Sequence, residues 1–82
     1  STTVRVDLNR EILKDETYLR VSVFDVSGRL VKEIYNAPVS GGTVTAAWNG
    51  RDRSGLPASS GVYLYVVRAG GKICSGKMLL LR

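Results

Sequence analysis

The side chains that could do chemistry in this chain are few and do not converge in sequence. Ser75 and Lys77, two apart on one stretch, are the nearest approach to a nucleophile beside a base, and nothing near them supplies an oxyanion hole. There is no histidine, so a triad of the ordinary kind is excluded. Acid–base work by carboxylates needs two of them facing one site, whereas Asp15-Glu16, Asp25, Glu33 and Asp52 fall in separate segments. Asp15-Glu16 suits a solvated turn, and Asp25 and Asp52 suit turns in which the carboxylate accepts backbone N–H groups. Cys74, the only cysteine, has no intramolecular disulfide partner and no imidazole to activate it, and is expected to be a small half-buried strand residue. The common metal sites need several Cys or His ligands. The Asn49–Gly55 segment has oxygen donors for calcium but lacks a D-x-D-x-D ladder, and Arg51 and Arg53 oppose a cation. Gly41-Gly42 and Gly70-Gly71 do not lead into helices, so they are turns and not phosphate cradles. The chain is therefore expected to have no catalytic, metal or cofactor site and not to be an enzyme.

The net charge of +5 raises nucleic acid as a partner, which would require the twelve Lys and Arg residues to gather into a patch. In sequence they are spread from Arg5 to Arg82, mostly at strand ends and turns, as solubilising charges are. No nucleic-acid partner is expected. The longest apolar run, Met78 to Leu81, is far short of the roughly 20 residues that span a bilayer, so no membrane insertion is expected. Ser1 to Arg5 shows no basic start followed by an apolar stretch, so no signal peptide is expected in the sequence as given. Tyr63 and Tyr65 could form a sugar platform, but aromatics on a sandwich strand are more often core or edge cover. Eighty-two residues suffice for one core, and a monomer is expected.

The elements that must position these residues are strands. Val4, Val6 and Leu8 alternate with Arg5 and Asp7, the period-two signature of a half-buried strand. Asn9 to Thr17 is a polar connection around Ile12 and Leu13. Leu19, Val21 and Val23 then oppose Tyr18, Arg20 and Ser22. Asp25 to Arg29 is a turn leading into a β-branched strand from Arg29 to Tyr35, which pairs back as a hairpin. Asn36 to Gly42 is expected to be a loop, because Pro38 lacks an amide donor and the glycines favour a bend. Thr43 to Trp48 puts Val44, Ala46 and Trp48 on one face, and the indole can cap a core. Asn49 to Gly61 is an ordered run of turns. Val62 to Arg68 and Ile73 to Leu81 flank the tight turn Ala69-Gly70-Gly71-Lys72. Both carry apolar residues on two faces, as central or covered strands do. Six strands, with a seventh in the Ile12 region, make an all-β sandwich without an internal repeat.

The order of blocks also resembles a known family. These are Ser1 to Val6, Val21 to Val31 with V-S-V-F-D-V-S-G-R, Trp48-Asn49-Gly50-Arg51-Asp52 with Ser54-Gly55, Ser60 to Tyr65, and Lys77 to Arg82. Together they resemble the C-terminal sorting domain of type IX secretion cargo and its relative, the Ig-like domain of the flagellar hook-capping protein. The Pro-Asn-Pro-type segment that commonly precedes Ser-Thr-Thr in the sorting family would lie before Ser1. The resemblance implies an Ig-like antiparallel β-sandwich of about seven strands over residues 1–82, without catalytic function. It implies a sorting signal that directs a covalently attached N-terminal cargo domain across the bacterial outer membrane to the cell surface. The implied partners are the outer-membrane secretion machinery and a sortase-like peptidase, with Gly61, Tyr63, Lys77, Met78, Leu80 and Arg82 as the recognition residues. The alternative expectation is a structural or adhesive Ig-like module, as in hook capping or as a spacer domain.

Overall fold

Where apolar and polar residues alternate, an extended backbone collects the apolar ones on one face, and the strands follow that alternation closely. The computed structural model describes residues 2–8, 17–39 and 42–81. Its strands are β1 (Thr2–Leu8), β2 (Thr17–Phe24), β3 (Leu30–Val39), β4 (Gly42–Trp48), β5 (Gly61–Ala69) and β6 (Lys72–Leu80). β1 pairs with β4 in one sheet, and the order β3-β2-β5-β6 makes the other. Every pairing is antiparallel.

Leu19, Val21 and Val23 of β2 are fully buried and lie at the centre of the core. Leu19 and Val21 cluster with Ala46 and Val67, while Val23 clusters with Trp48, Tyr63 and Leu80. Ala46 and Trp48 thus bring β4 down on the four-stranded sheet, and the core lies between the two sheets. The domain is all-β and antiparallel, consistent with an Ig-like fold. Six strands lie among the described residues; the expected seventh, in the Ile12 region, falls outside them, as does most of the polar connection.

Three expectations need correction. The segment after Tyr35 is not a loop, because β3 continues to Val39 with Pro38 opposite Tyr18. β3 is an edge strand, where a proline's missing donor is tolerated. Among the described residues β6 is likewise an edge, not a central or covered strand, and Ile73, Leu79 and Leu81 are 67%, 56% and 78% exposed. Cys74 is exposed rather than half-buried, because it sits on that edge.

β3 departs from regular alternation at two register shifts against β2. Val21 faces Tyr35 while Ser22 faces Glu33, leaving Ile34 as an extra residue. A bulge of this kind turns two successive side chains to the same face, so both Ile34 and Tyr35 pack on the core.

Candidate interaction surface

The sequence-predicted recognition residues divide between core and surface. Gly61 faces Leu80 and Tyr63 faces Met78 across the β5–β6 ladder. Tyr63 and Leu80 are buried, and Met78 is half-buried against both core clusters. Lys77 is exposed opposite Leu64, and Arg82 lies outside the described residues. The fold therefore brings Gly61, Tyr63, Met78 and Leu80 together, but on the face turned toward the core.

At one pole the core anchors an ordered loop. Trp48 and Tyr63 meet edge to face with ring centroids 4.9 Å apart. The indole Nε1–H donates to the Arg51 carbonyl at 2.9 Å, and the Tyr63 hydroxyl donates to the Ser59 carbonyl at 2.6 Å. Two buried rings thus hold both ends of the Asn49–Ser60 segment by their polar tips.

Beside it, one five-residue turn is built twice, a local repeat that the sequence reading missed. In Asp25-Val26-Ser27-Gly28-Arg29, Asp25 Oδ1 accepts from the N–H groups of Ser27 and Arg29, both at 3.0 Å. In Asp52-Arg53-Ser54-Gly55-Leu56, Asp52 Oδ1 accepts from Ser54 and Leu56 N–H at 2.9 and 3.0 Å. In each, the Gly N–H donates to the Asp carbonyl and the Asp N–H to the carbonyl four residues on. Gly28 and Gly55 have φ of 87° and 84°, a region that L side chains disfavour. The signal was available as D-x-S-G at both places. Asp52 Oδ1 thus holds the loop's own amides, and the described residues contain no group of three or more His, Cys, Asp or Glu that could hold a metal ion.

The outer face of the four-stranded sheet carries the rest of the site. Phe24, Val62, Leu64, Val66 and Leu79 alternate with the core residues and so point away from the core, with Val62 44% and Leu79 56% exposed. Leu64 lies between Phe24 and Lys77, and Val62 faces Leu79, so the apolar side chains form one stripe across β2, β5 and β6. At the other end of these strands Arg20 faces Arg68 directly. Arg20, Arg68 and Lys72 line a groove with Tyr18 and Ile73 beside the β5–β6 turn. Sequence spacing disperses these cations, and the antiparallel register gathers them.

Like charges directly opposed across a ladder are unfavourable. Glu33 offsets this pair by accepting from Arg20 Nη2 at 2.8 Å and Nε at 3.3 Å, and it accepts a third bond from Asn36 Nδ2 at 2.5 Å. The Arg20 hydrogen bond is the chief reason that the Glu33 carboxyl lies below its ordinary pKa, and the same contact raises Arg20. Asp25 is also lowered, first by the Ser27 hydroxyl and then by the Arg29 amide.

This arrangement offers an apolar stripe with a basic end, a shape suited to binding and not to bond-making. The model of the FlgD Ig-like domain family matches residues 1–72, which comprises β1 to β5 and the first residue of β6. No curated protein and no solved structure matches the chain. With that match over most of its length, the chain belongs to the FlgD Ig-like domain family and is a non-catalytic Ig-like domain.

Proposed function

We propose that this domain is a structural module of a larger extracellular protein or assembly, docked on a neighbouring protein through the outer face of its four-stranded sheet. One observation carries the reading: the stripe of half-buried Phe24, Leu64 and Val66 with exposed Val62 and Leu79, flanked by Arg20, Arg68 and Lys77. An apolar centre with a charged rim is the usual anatomy of a protein–protein contact. Its cations call for a partner surface with an apolar centre and an acidic border. Membership of a family named for FlgD supports a role in an assembly of the hook-capping kind. Val62→Asp and Leu79→Asp test this in the parent protein, because both positions are exposed and the domain itself should stay folded. The expected result is release of the module from its neighbour; an unchanged assembly would reject the reading.

The second reading is the sorting signal, with an N-terminal cargo, the outer-membrane secretion machinery and a sortase-like peptidase as partners and the cell surface as destination. The observation favouring it is the exposure of Lys77, Leu79 and Leu81 in the final block. Under this reading a reporter fused to the domain reaches the surface of a type IX-competent bacterium, and Lys77→Ala with Leu81→Ala abolishes delivery while the domain stays folded. Undiminished delivery by that variant would exclude it.

A further inference from the structure

The two edges of the four-stranded sheet are built differently. β3 carries two register shifts, a proline and the charged pair Lys32 and Glu33, all devices that prevent a foreign strand from pairing. β6 has none of the first two: its nine residues pair with β5 without a register shift, and it contains no proline. Its only charges are Lys72 and Lys77, and its exposed side chains include Ile73 and Leu79. A long regular edge with apolar side chains is a template for another strand.

We infer that β6 pairs antiparallel with β6 of a second copy of this chain about a two-fold axis at Gly76, joining two four-stranded sheets into one of eight strands. The sequence of the strand selects this register. With Gly76 opposite its own copy, all nine residues find partners, and the numbers of opposed residues sum to a constant. Ile73 then faces Leu79 of the other copy twice, pairing the two most exposed apolar side chains of the outer face of the strand. Lys77 faces Ser75 and Lys72 faces Leu80, so no cation opposes another. Shifting the axis by one residue to Lys77 would set two ammonium groups directly against each other, an unfavourable pair.

Gly76 also suits the axis. The Tyr65 side chain lies over it, with the hydroxyl and ring edge too close to leave room for a β-carbon. That hydroxyl has no hydrogen-bond partner among the described residues. The pairing sets the Val62–Leu79 end of each outer stripe against Ile73 and, beyond it, Arg68 of the other copy. It does not depend on which neighbour that face docks against.

Sedimentation equilibrium over micromolar to millimolar concentrations tests the proposal. The wild-type chain should shift reversibly to twice the mass of one chain. Ile73→Lys with Leu79→Lys places Lys opposite Lys at two pairs and should weaken association at least tenfold, whereas Ile73→Lys with Leu79→Glu places Lys opposite Glu and should restore it. Circular dichroism should show all three folded, since both positions are exposed. In a Cys74→Ser background, Ser75→Cys mixed with Lys77→Cys should cross-link on oxidation, and either alone should not. A wild-type chain that stays monomeric throughout overturns the proposal, as does a Lys/Glu variant that associates no better than the Lys/Lys variant.

Discussion

The ring of Tyr65 lies across the backbone of its cross-strand partner Gly76, so closely that a β-carbon at position 76 would collide with Tyr65 Oη, Cζ and Cε2. The glycine is a packing requirement, and the tyrosine covers the backbone that the glycine leaves bare. Tyr65 in turn packs on the cluster of Leu19, Val21, Ala46 and Val67.

Gly76→Ala should therefore destabilise the domain by about 1–3 kcal/mol, the usual range for forcing a side chain out of its packed position. Tyr65→Ala in the same chain should make the added methyl harmless, giving a non-additive double-mutant cycle in urea unfolding. Additive losses would mean that the two residues do not meet.

The paired rings at the loop pole differ in what each contributes. Trp48→Ala removes a fully buried indole and should cost about 3–5 kcal/mol. Tyr63→Phe keeps the ring contact but deletes the hydrogen bond to the Ser59 carbonyl, and should cost about 1 kcal/mol. Amide exchange in Tyr63→Phe should accelerate around Ser59 and Ser60 while β2 stays protected; uniform acceleration would place the effect on global stability instead.

Acid should destabilise the fold in a defined direction. The folded pKa values of Asp25 and Glu33 lie below their ordinary values, so their contribution to stability is complete above about pH 4–5, where the unfolded carboxylates are also ionised, and is lost as pH falls through the depressed folded values. The urea midpoint should hold between pH 7 and 5 and fall below about 4. Asp25→Asn with Glu33→Gln should flatten that fall, modestly because both groups are at the surface. An unchanged acid limb would show that neither group carries it.

Much of the fold was legible in the sequence because the signals are local. Leu19, Val21 and Val23 announce a buried face by alternation alone, Val44, Ala46 and Trp48 do the same, and Ala69 to Lys72 marks a hairpin. What the sequence hid depends on position in the sheet. Pro38 breaks a central strand but is tolerated on an edge, and only the strand order makes β3 an edge. The same order makes β6 an edge and so exposes Ile73, Cys74 and Leu79, although the apolar Met78 to Leu81 run suits a covered strand. Arg20 and Arg68 are far apart in the chain, and only the β2–β5 register sets them opposite each other. The candidate surface was hidden for a related reason: of the final block, Met78 and Leu80 point inward, and Lys77 and Leu79, alternating with them, point out.

The central claim is that the outer sheet face is a docking surface, and side-chain accessibility in the parent protein tests it most directly. Hydroxyl-radical footprinting of the 82-residue domain alone and within its parent should show Val62, Leu64 and Leu79 several-fold less reactive in the parent, while Val26 and Leu56, 75% and 62% exposed at the turns, react equally in both. Equal reactivity of Val62 and Leu79 in the two forms would contradict the account.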